Sequence, residues 1–254
     1  MTSGSVELQV ADGCAQLVLN NPTRRNAISA AMADELIRLC AEVDGRDDIG
    51  AVVVSGAGSY FCSGADVAEL AASSADPTSD QALAQLSGVY RAFATLSKLS
   101  VPTIAAVAGG AYGAGFNLAL ACDVMLVTPD AVLASGFLRT GIHPGGGHLT
   151  LLTQRIGGQG AAAMALFSAT LTGEEAVQRG LAWQCCSADE LMPTALRLAA
   201  APARDIVLAR AIKRSLLLER GAGLSVDAAI EVERGMQMWS LARKGPDAWP
   251  KPAR

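Results

Sequence analysis

The alternation of apolar and polar residues at the start of the chain predicts a β-hairpin. The segments VELQV (6–10) and CAQLVLN (14–20) alternate in this way, and Asp12-Gly13 lies between them. An Asp-Gly pair between two alternating segments is a common hairpin turn. The polar segment NNPTRRNAIS (20–29) then predicts a loop that ends at Ser29, which we expect to cap a helix.

Further along the chain, continuous apolar segments alternate with segments of helical spacing, which predicts an α/β fold. AVVVSG (51–56), residues 103–108 and residues 124–128 are predicted to be strands buried on both faces. Helices are predicted where apolar residues recur three or four positions apart, as they do at Met32, Leu36, Leu39 and Val43 and at Leu83, Leu86, Val89, Phe93 and Leu96.

The second half of the chain is predicted to be mainly helical, because the strand pattern nearly disappears after residue 157. The exception is AWQCC (182–186), which predicts a short strand. Two segments, Thr172-Gly-Glu-Glu175 and Ser187-Ala-Asp-Glu190, match the capping box that begins many helices. Helical patterns follow near residues 204–219 and 224–241, and GPDAWPKPAR (245–254) predicts an extended tail. We therefore expect an α/β core in residues 1–190 and a helical region in residues 191–254.

Composition narrows the possible partners and the cellular compartment. The net charge of −4, the absence of a basic block and an aromatic content of 4% argue against a nucleic-acid partner. Only 17% of the residues are charged, which suggests that part of the surface is buried in an oligomer. Six cysteines without CxxC spacing predict free thiols in a reducing compartment, the cytoplasm, and no metal site. The N-terminus lacks the pattern of a signal peptide.

One uncharged segment has the length of a membrane span. Residues 99–122 carry no charge over 24 positions. However, this segment contains Pro102 and the four glycines Gly109, Gly110, Gly113 and Gly115. We therefore expect a buried strand, a glycine-rich loop and a buried helix here, and no membrane span.

Two strand-to-helix connections share a glycine-rich composition. SGAD (63–66) follows one predicted buried strand, and GGAYGAG (109–115) follows the next. Glycine lets the backbone approach a ligand closely, and a helix N-terminus offers unpaired N–H groups. The two segments are either ordinary tight turns or, if they face each other, a site that binds an oxyanion through two backbone amides. Neither matches a dinucleotide fingerprint, and no Walker lysine is present, which argues against nucleotide cofactors.

Five segments, in this order, resemble the crotonase (enoyl-CoA hydratase/isomerase) superfamily. They are LNNPTRRNAIS (19–29), VVVSGAGSYFCSGADVAEL (52–70), PTIAAVAGGAYGAGFNLALACDVMLV (102–127), TGIHPGGGHLTLLTQRIG (140–157) and LTGEEAVQRGLA (171–182). The resemblance implies an α/β fold, a spiral core of ββα units with a helical C-terminal trimerisation region, and hence a homotrimer or a hexamer. It also implies an acyl-CoA thioester substrate, in which coenzyme A is part of the substrate and no separate cofactor is needed.

The resemblance also implies roles for individual residues. The backbone N–H groups of Ala65 and Ala114 would form the oxyanion hole for a thioester enolate. The CoA moiety would contact Arg24, Arg25, Ala27, Ala65, Asp66 and Val67. Arg24 or Arg25 either pairs with CoA phosphates or is a solvated loop charge.

The sequence departs from the family at both positions of the usual catalytic carboxylates. By the resemblance, Asn117 and Phe137 would occupy them. An amide cannot act as a general base, although it can orient water or a carbonyl, and a phenyl ring can do neither. We therefore expect efficient hydratase activity to be lost or to depend on another group.

Other side chains are candidates for that group. His143 and His148 are the only histidines, and each is either a proton-transfer group or structural, with the structural role favoured. Asp66 is expected to face the CoA side or to cap its helix, and Asp123 is expected to be structural. Tyr112 offers a hydroxyl, and a nucleophilic role for Cys62 or Ser63 would require a histidine partner.

Three functions remain open from the sequence. The first is an enzyme that stabilises an acyl-CoA enolate and catalyses hydration or isomerisation. The second is a non-catalytic protein that binds or delivers acyl-CoA. The third is a CoA-thioester hydrolase or decarboxylase that uses His143 or Asp66.

Overall fold

The computed structural model describes residues 4–222 and 225–244. The strands are β1 (Ser5–Ala11), β2 (Cys14–Asn20), β3 (Ala51–Gly56), β4 (Thr103–Val107), β5 (Gly110–Tyr112), β6 (Val124–Val127), β7 (Val132–Ala134), β8 (Thr170–Leu171) and β9 (Gln184–Cys185). The helices are α1 (Ala30–Asp44), α2 (Val67–Ser73), α3 (Asp80–Ser97), α4 (Ala114–Ala121), α5 (Phe137–Thr140), α6 (His148–Leu166), α7 (Gly173–Gln178), α8 (Ala188–Arg204), α9 (Ile206–Ala222) and α10 (Val226–Lys244). The predicted tail at 245–254 lies outside the described residues.

The strands form two sheets, which confirms the α/β prediction. Within the described residues, the larger sheet has the order β1-β2-β3-β4-β6-β9. The β1–β2 pair is the predicted antiparallel hairpin, and the remaining pairs are parallel. The smaller sheet has the order β5-β7-β8. All residues of β4 are buried, as expected for a parallel strand covered on both faces.

Helices cover both faces of the larger sheet. Residues of β3 alternate between them: Val52 and Val54 belong to the main core, which α1, α3 and α4 complete, and Val53 faces α8. Leu191, Ala195 and Ala199 of α8 are the residues that pack against that second face. The helix at the start of the C-terminal region is therefore part of the sheet's packing.

Two of the three predicted helix caps are present in the structure, and one is not. The hydroxyl of Ser29 accepts from the N–H of Met32 at the start of α1, as predicted. Thr172 and Glu175 form the full predicted capping box at the start of α7. The second predicted box was wrong, because the side chain of Ser187 makes no capping hydrogen bond at the start of α8.

The uncharged segment at 99–122 folds into strands and a helix. It contains β4, β5 and α4, and in the described part of the chain no helix has both the length and the hydropathy of a membrane span. The glycine-rich stretch was predicted as a loop, but Gly110–Tyr112 is a short strand because it pairs in parallel with β7. All six cysteines are free.

Helix α9 is tied to the core by two basic side chains. Lys213, whose side chain is buried, donates to Asp123 and to the carbonyl of Val101 (3.1 Å). Arg210 donates to several backbone carbonyls in the last turn of α1 and just after it, among them that of Arg46. Asp123 also accepts from the N–H and the hydroxyl of Thr103 (2.8 and 2.9 Å), so its position in the structure is consistent with the predicted structural role.

Candidate active site

Two strand-to-helix turns lie side by side in the fold. A bridge pairs Cys62 with Ala111, and two backbone hydrogen bonds of 3.3 and 3.1 Å join Cys62 to Gly110–Tyr112. Because the two segments run parallel, the residues three positions further along each of them, Ala65 and Ala114, lie at matching positions. The fold therefore brings together the two alanines that were predicted to form an oxyanion hole.

The N–H group of each alanine is available to a ligand. Ile28 pairs with the neighbours of Ala65: its N–H donates to Gly64 (2.8 Å), and its carbonyl accepts from Asp66 (2.9 Å). Since N–H groups alternate in direction along extended backbone, the N–H of Ala65 points away from Ile28. Ala114 is the first residue of α4, so its N–H has no acceptor within the helix. Within residues 4–222 and 225–244, neither N–H donates to another protein group.

Each of the two alanines follows a glycine with positive φ, +115° at Gly64 and +52° at Gly113. Residues with a Cβ atom rarely adopt this backbone conformation. A Cβ atom on Gly64 would also lie 3.1 Å from the carbonyl oxygen of Tyr112 and 3.9 Å from the nitrogen of Ala114. The close approach of the two turns is therefore compatible with both N–H groups binding one oxygen atom.

A cavity of about 360 Å³ adjoins these N–H groups, and Ala65 and Ala114 both line it. Much of its wall is apolar or aromatic and includes Ile28, Leu70, Leu86, Val89, Phe93, Phe137 and Ile142. Fewer polar side chains line it, among them Asp66, Glu69, Gln85, Asn117 and His143. A mainly apolar cavity with a few polar groups is typical of a small-molecule site.

Asn117 is held in a single orientation at the cavity wall, where it is 1% exposed. Its Nδ2 donates to the carbonyl of Gly145 (3.0 Å), and its Oδ1 lies 2.7 Å from Nδ1 of His148. A carbonyl oxygen can only accept, so the amide nitrogen must face Gly145, and the amide oxygen is left for the imidazole. Both polar ends of the side chain are therefore engaged within the protein.

The contact with the amide oxygen of Asn117, which can only accept, fixes the tautomer of the neutral His148 imidazole. Its Nδ1–H donates to Asn117, and its Nε2 accepts from the hydroxyl of Ser135 (2.7 Å). Burial lowers the pKa of His148 from 6.5 to about 4, because the charged imidazolium would lose its hydration. The residue is therefore a neutral imidazole at pH 7.

Ser135, His148 and Asn117 are connected like a nucleophile, a base and an orienting group. However, Ser135 is only 2% exposed and does not line the cavity, and His148 does not line it either. A nucleophile must reach the substrate carbonyl, and this hydroxyl is closed off from it. The arrangement therefore ties α4 to the start of α6.

The other sequence candidates on the cavity wall are Phe137 and His143. The ring of Phe137 packs on His148, with 4.9 Å between the ring centroids. His143 is exposed, and its Nδ1 donates to the carbonyl of Pro144 (2.7 Å), which leaves Nε2 as an acceptor. No carboxylate stands at position 117 or 137, and the assignment of these positions to the family's catalytic pair stays a prediction.

A family model described as enoyl-CoA hydratase/isomerase matches residues 9–244. The chain belongs to this family, whose fold is the crotonase fold. A probable enoyl-CoA hydratase of Mycobacterium tuberculosis is 42% identical over 207 residues, which cover 80% of this chain and 78% of the relative. The 2,3-dehydroadipyl-CoA hydratase of Escherichia coli is 32% identical over 216 residues, with 85% and 82% covered.

Solved structures of crotonase-fold proteins superpose on nearly the whole chain. An enoyl-CoA hydratase from Polaromonas matches with a TM-score of 0.86 and 26% identity, covering 94% of this chain and 92% of that one. A Thermobifida fusca structure in complex with CoA matches with a TM-score of 0.81 and 28% identity, covering 94% and 93%. The crotonase-like fold predicted from the sequence is confirmed.

Two of the residues that the crotonase resemblance assigned to CoA are paired with each other. Arg24 forms an ion pair with Asp66, and its side chain remains about half exposed. The other oxygen of Asp66 accepts from the N–H groups of Ala68 (2.8 Å) and Glu69 (3.3 Å), so Asp66 caps α2. Asp66 therefore has both carboxylate oxygens engaged.

The other residues that were predicted to contact CoA differ in whether they line the cavity. Val67 is exposed and lines the cavity, whereas Arg24, Arg25 and Ala27 do not line it. The guanidinium of Arg25 lies over the ring of Tyr60, 5.7 Å from its centroid. Contact of these residues with CoA stays a prediction.

The sequence candidates for a nucleophile lack the partner that they require. Burial raises the pKa of Cys62 to about 12, so its thiol is protonated at neutral pH. The hydroxyl of Ser63 donates to the carbonyl of Arg24 (3.0 Å). Tyr112 lines the cavity, which keeps it among the hydrogen-bond donors that the sequence offered.

Glu69 is a cavity residue that the sequence did not single out. Its Oε2 accepts from the N–H of Ala30 (2.9 Å) and from Nε2 of Gln85 (2.9 Å). Neither contact follows from a local pattern, since the partners lie 39 and 16 positions away in the chain. One local signal could have pointed to Glu69. It follows the capping residue Asp66 by three positions and therefore lies in the first turn of the helix next to the oxyanion turn.

Proposed function

We propose that this protein binds acyl-CoA thioesters and stabilises their enolates through the N–H groups of Ala65 and Ala114. The observation that carries the proposal is the adjacency of two unpaired N–H groups on the wall of one mainly apolar cavity. The Thermobifida fusca relative was solved with CoA, which supports the ligand class. Double-bond hydration or isomerisation is the proposed reaction.

The energetic argument rests on charge development at the thioester oxygen. When a proton leaves the α-carbon, negative charge collects on that oxygen, and fixed backbone N–H groups stabilise it without reorganising. One such donor contributes on the order of 3 kcal/mol. The apolar wall strengthens this electrostatic effect, because it excludes water.

The direct test is turnover of a series of enoyl-CoA esters of increasing chain length, with binding measured in parallel by calorimetry. The expected result is ester binding near one per chain and turnover above the buffer rate. Binding without turnover would contradict the enzymatic part of the proposal. Absence of binding would contradict all of it.

A second candidate function is acyl-CoA binding or delivery without catalysis. The observation that favours it is the engagement of Asn117 with Gly145 and His148, which replaces a proton-transfer group by a structural contact. Stoichiometric binding without turnover is the result expected for this function. Release of free CoA in a thiol assay would instead favour a hydrolase, and release of CO₂ from a carboxyacyl-CoA would favour a decarboxylase.

The assignment of positions 117 and 137 has its own test. The double variant Asn117→Glu with Phe137→Glu should gain crotonyl-CoA hydratase activity if these positions correspond to the family's carboxylates. The single variants serve as controls, since each supplies only one carboxylate. A folded double variant with unchanged activity would contradict the assignment.

The proposed assembly is a homotrimer or a hexamer built through the C-terminal helices. Exposed apolar side chains on α9 and α10 support self-association; they include Val207, Ile212, Leu216, Leu218, Ile230, Met236, Met238 and Trp239. Sedimentation velocity at micromolar concentration tests this, and a monomer would contradict it.

A further inference from the structure

Enolate formation needs a group that accepts the α-proton, and the cavity offers few. Among the described residues that line it, the carboxylates are those of Asp66 and Glu69, and the imidazole is that of His143. Tyr90 and Tyr112 also line it, and a phenolic O–H group offers a proton instead of accepting one from carbon. Asn117 cannot accept a proton, and its amide is already engaged on both sides.

Glu69 has one oxygen fixed and one oxygen available. Its Oε2 accepts two hydrogen bonds of 2.9 Å, from the N–H of Ala30 and from Gln85, and these bonds hold the carboxylate in place. Within the described part of the chain, Oε1 has no hydrogen-bond partner. It is also not one of the buried side-chain atoms that lack a partner, so it is accessible from outside the protein. Glu69 lines the cavity, so its wall includes a carboxylate with one oxygen atom that has no partner among the described residues.

The carboxylate lies close to the oxyanion turn. Glu69 lies in the first turn of α2, which begins two residues after Ala65. Side chains of a helix point back toward its N-terminus, and therefore toward Ala65. The hydrogen bond to Ala30 places the carboxylate beside the segment of Ile28, which is the bridge partner of Ala65.

The other residues of the cavity wall that could accept the α-proton are less suited to that role. Asp66 has both oxygens engaged, one by Arg24 and the other by two backbone N–H groups at the start of α2. His143 has an available Nε2, but its exposed side chain is held only by the carbonyl of the next residue. Glu69 alone among them combines a fixed orientation with an available acceptor atom.

We infer that Glu69 is the catalytic base of this site, an inference that rests on the proposed enolate function. Its Oε1 takes the proton from the α-carbon of the bound thioester. The electron pair of the broken C–H bond moves into the enolate, whose oxygen is held by the N–H groups of Ala65 and Ala114. The carboxyl proton of Glu69 is then replaced by a deuteron from D₂O, and transfer of this deuteron to the carbon restores the ester with one C–D bond in place of the C–H bond.

The test is hydrogen–deuterium exchange at C2 of butanoyl-CoA in D₂O, followed by mass spectrometry, with the full-length protein. Glu69→Gln keeps the shape and a carbonyl acceptor for Ala30 but removes the base. We expect it to lower the exchange rate by at least about 100-fold, with the Kd for butanoyl-CoA changed less than about threefold. Glu42→Gln, an identical change at an exposed residue of α1, should leave exchange unchanged.

Glu69→Asp provides a second measurement in case the Gln variant does not fold. It keeps a carboxylate but withdraws it by one methylene, so exchange should fall at least about tenfold while ester binding is kept. If the wild type exchanges and the folded Gln variant exchanges equally well, the inference is overturned and the proposed function stands. Loss of exchange in His143→Gln would then assign the base to that imidazole. If the wild type binds the ester without exchange, both the enzymatic proposal and this inference fail.

Discussion

The buried imidazole of His148 makes the stability of the protein depend on pH in a defined window. Burial lowers the pKa of this residue from 6.5 to about 4 in the folded state. Since one pKa unit corresponds to about 1.4 kcal/mol, the resulting contribution to the free energy of unfolding is about 3 kcal/mol. Both ring nitrogens of His148 also have hydrogen-bond partners in the neutral form, Asn117 for Nδ1–H and Ser135 for Nε2.

The sign follows from proton uptake by the two states. Between pH 6.5 and about 4 the unfolded chain binds a proton at His148 that the folded chain does not bind. The free energy of unfolding therefore falls as the pH falls through this window. The contribution is fully present above pH 6.5, and it is lost by about pH 4, below which both states are protonated.

Urea unfolding followed by circular dichroism between pH 7.5 and 4.5, at constant ionic strength, measures this loss. His148→Gln should be less stable at pH 7.5 but should lose about 2 to 3 kcal/mol less than the wild type over the window. Asn117→Asp should also reduce the loss, because a carboxylate at this position stabilises the imidazolium. Equal losses in the wild type and His148→Gln would refute the reasoning, as would an NMR titration that placed the pKa of His148 near 6.5.

Further predictions concern the backbone, the ion pair and a helix cap. Gly64→Ala should lower the free energy of unfolding by about 2 kcal/mol and slow deuterium exchange at C2 of the ester. Gly180→Ala is the control, because a Cβ atom there meets open space; it should lower the free energy of unfolding by about 1 kcal/mol and leave exchange unchanged. Urea unfolding and the deuterium assay measure the two effects. Lys213→Met should cost about 3 to 5 kcal/mol by urea unfolding, because it leaves Asp123 unpaired, and a loss below 1 kcal/mol would contradict this. Glu175→Ala should lower the free energy of unfolding by about 1 kcal/mol by removing half of a capping box, and an unchanged midpoint in urea would count against that role.

Much of the fold could be predicted because its signals are local. The hairpin turn at Asp12-Gly13, the cap at Ser29 and the buried run of β3 each depend on residues close together in the chain. The strand at Gly110–Tyr112 was missed because its three residues are stabilised by pairing with β7, which no local pattern reveals. Ser187 matched a capping motif, but its side chain makes no capping bond in the folded protein.

The site was predictable where it is made of backbone and less so where it is made of side-chain contacts. Gly64 and Gly113 indicate where the N–H groups of Ala65 and Ala114 lie, since glycines at a strand-to-helix turn can be recognised in the sequence. The bond between Asn117 and His148 spans 31 residues, and the bond between Glu69 and Ala30 spans 39. Contacts over such distances depend on the tertiary fold, so residue type alone could not assign their roles.

The contacts of Asn117 change what its substitution means for function. An asparagine whose amide had no protein partner would only have weakened catalysis, because it could still orient a water molecule. Here the amide links Gly145 to His148, and Phe137 packs on that imidazole, so residues 117, 137 and 148 form one structural unit. Proton transfer by this unit would require breaking buried hydrogen bonds. Any chemistry at the two free N–H groups must therefore draw its base from another part of the wall, and α2 supplies a fixed carboxylate there.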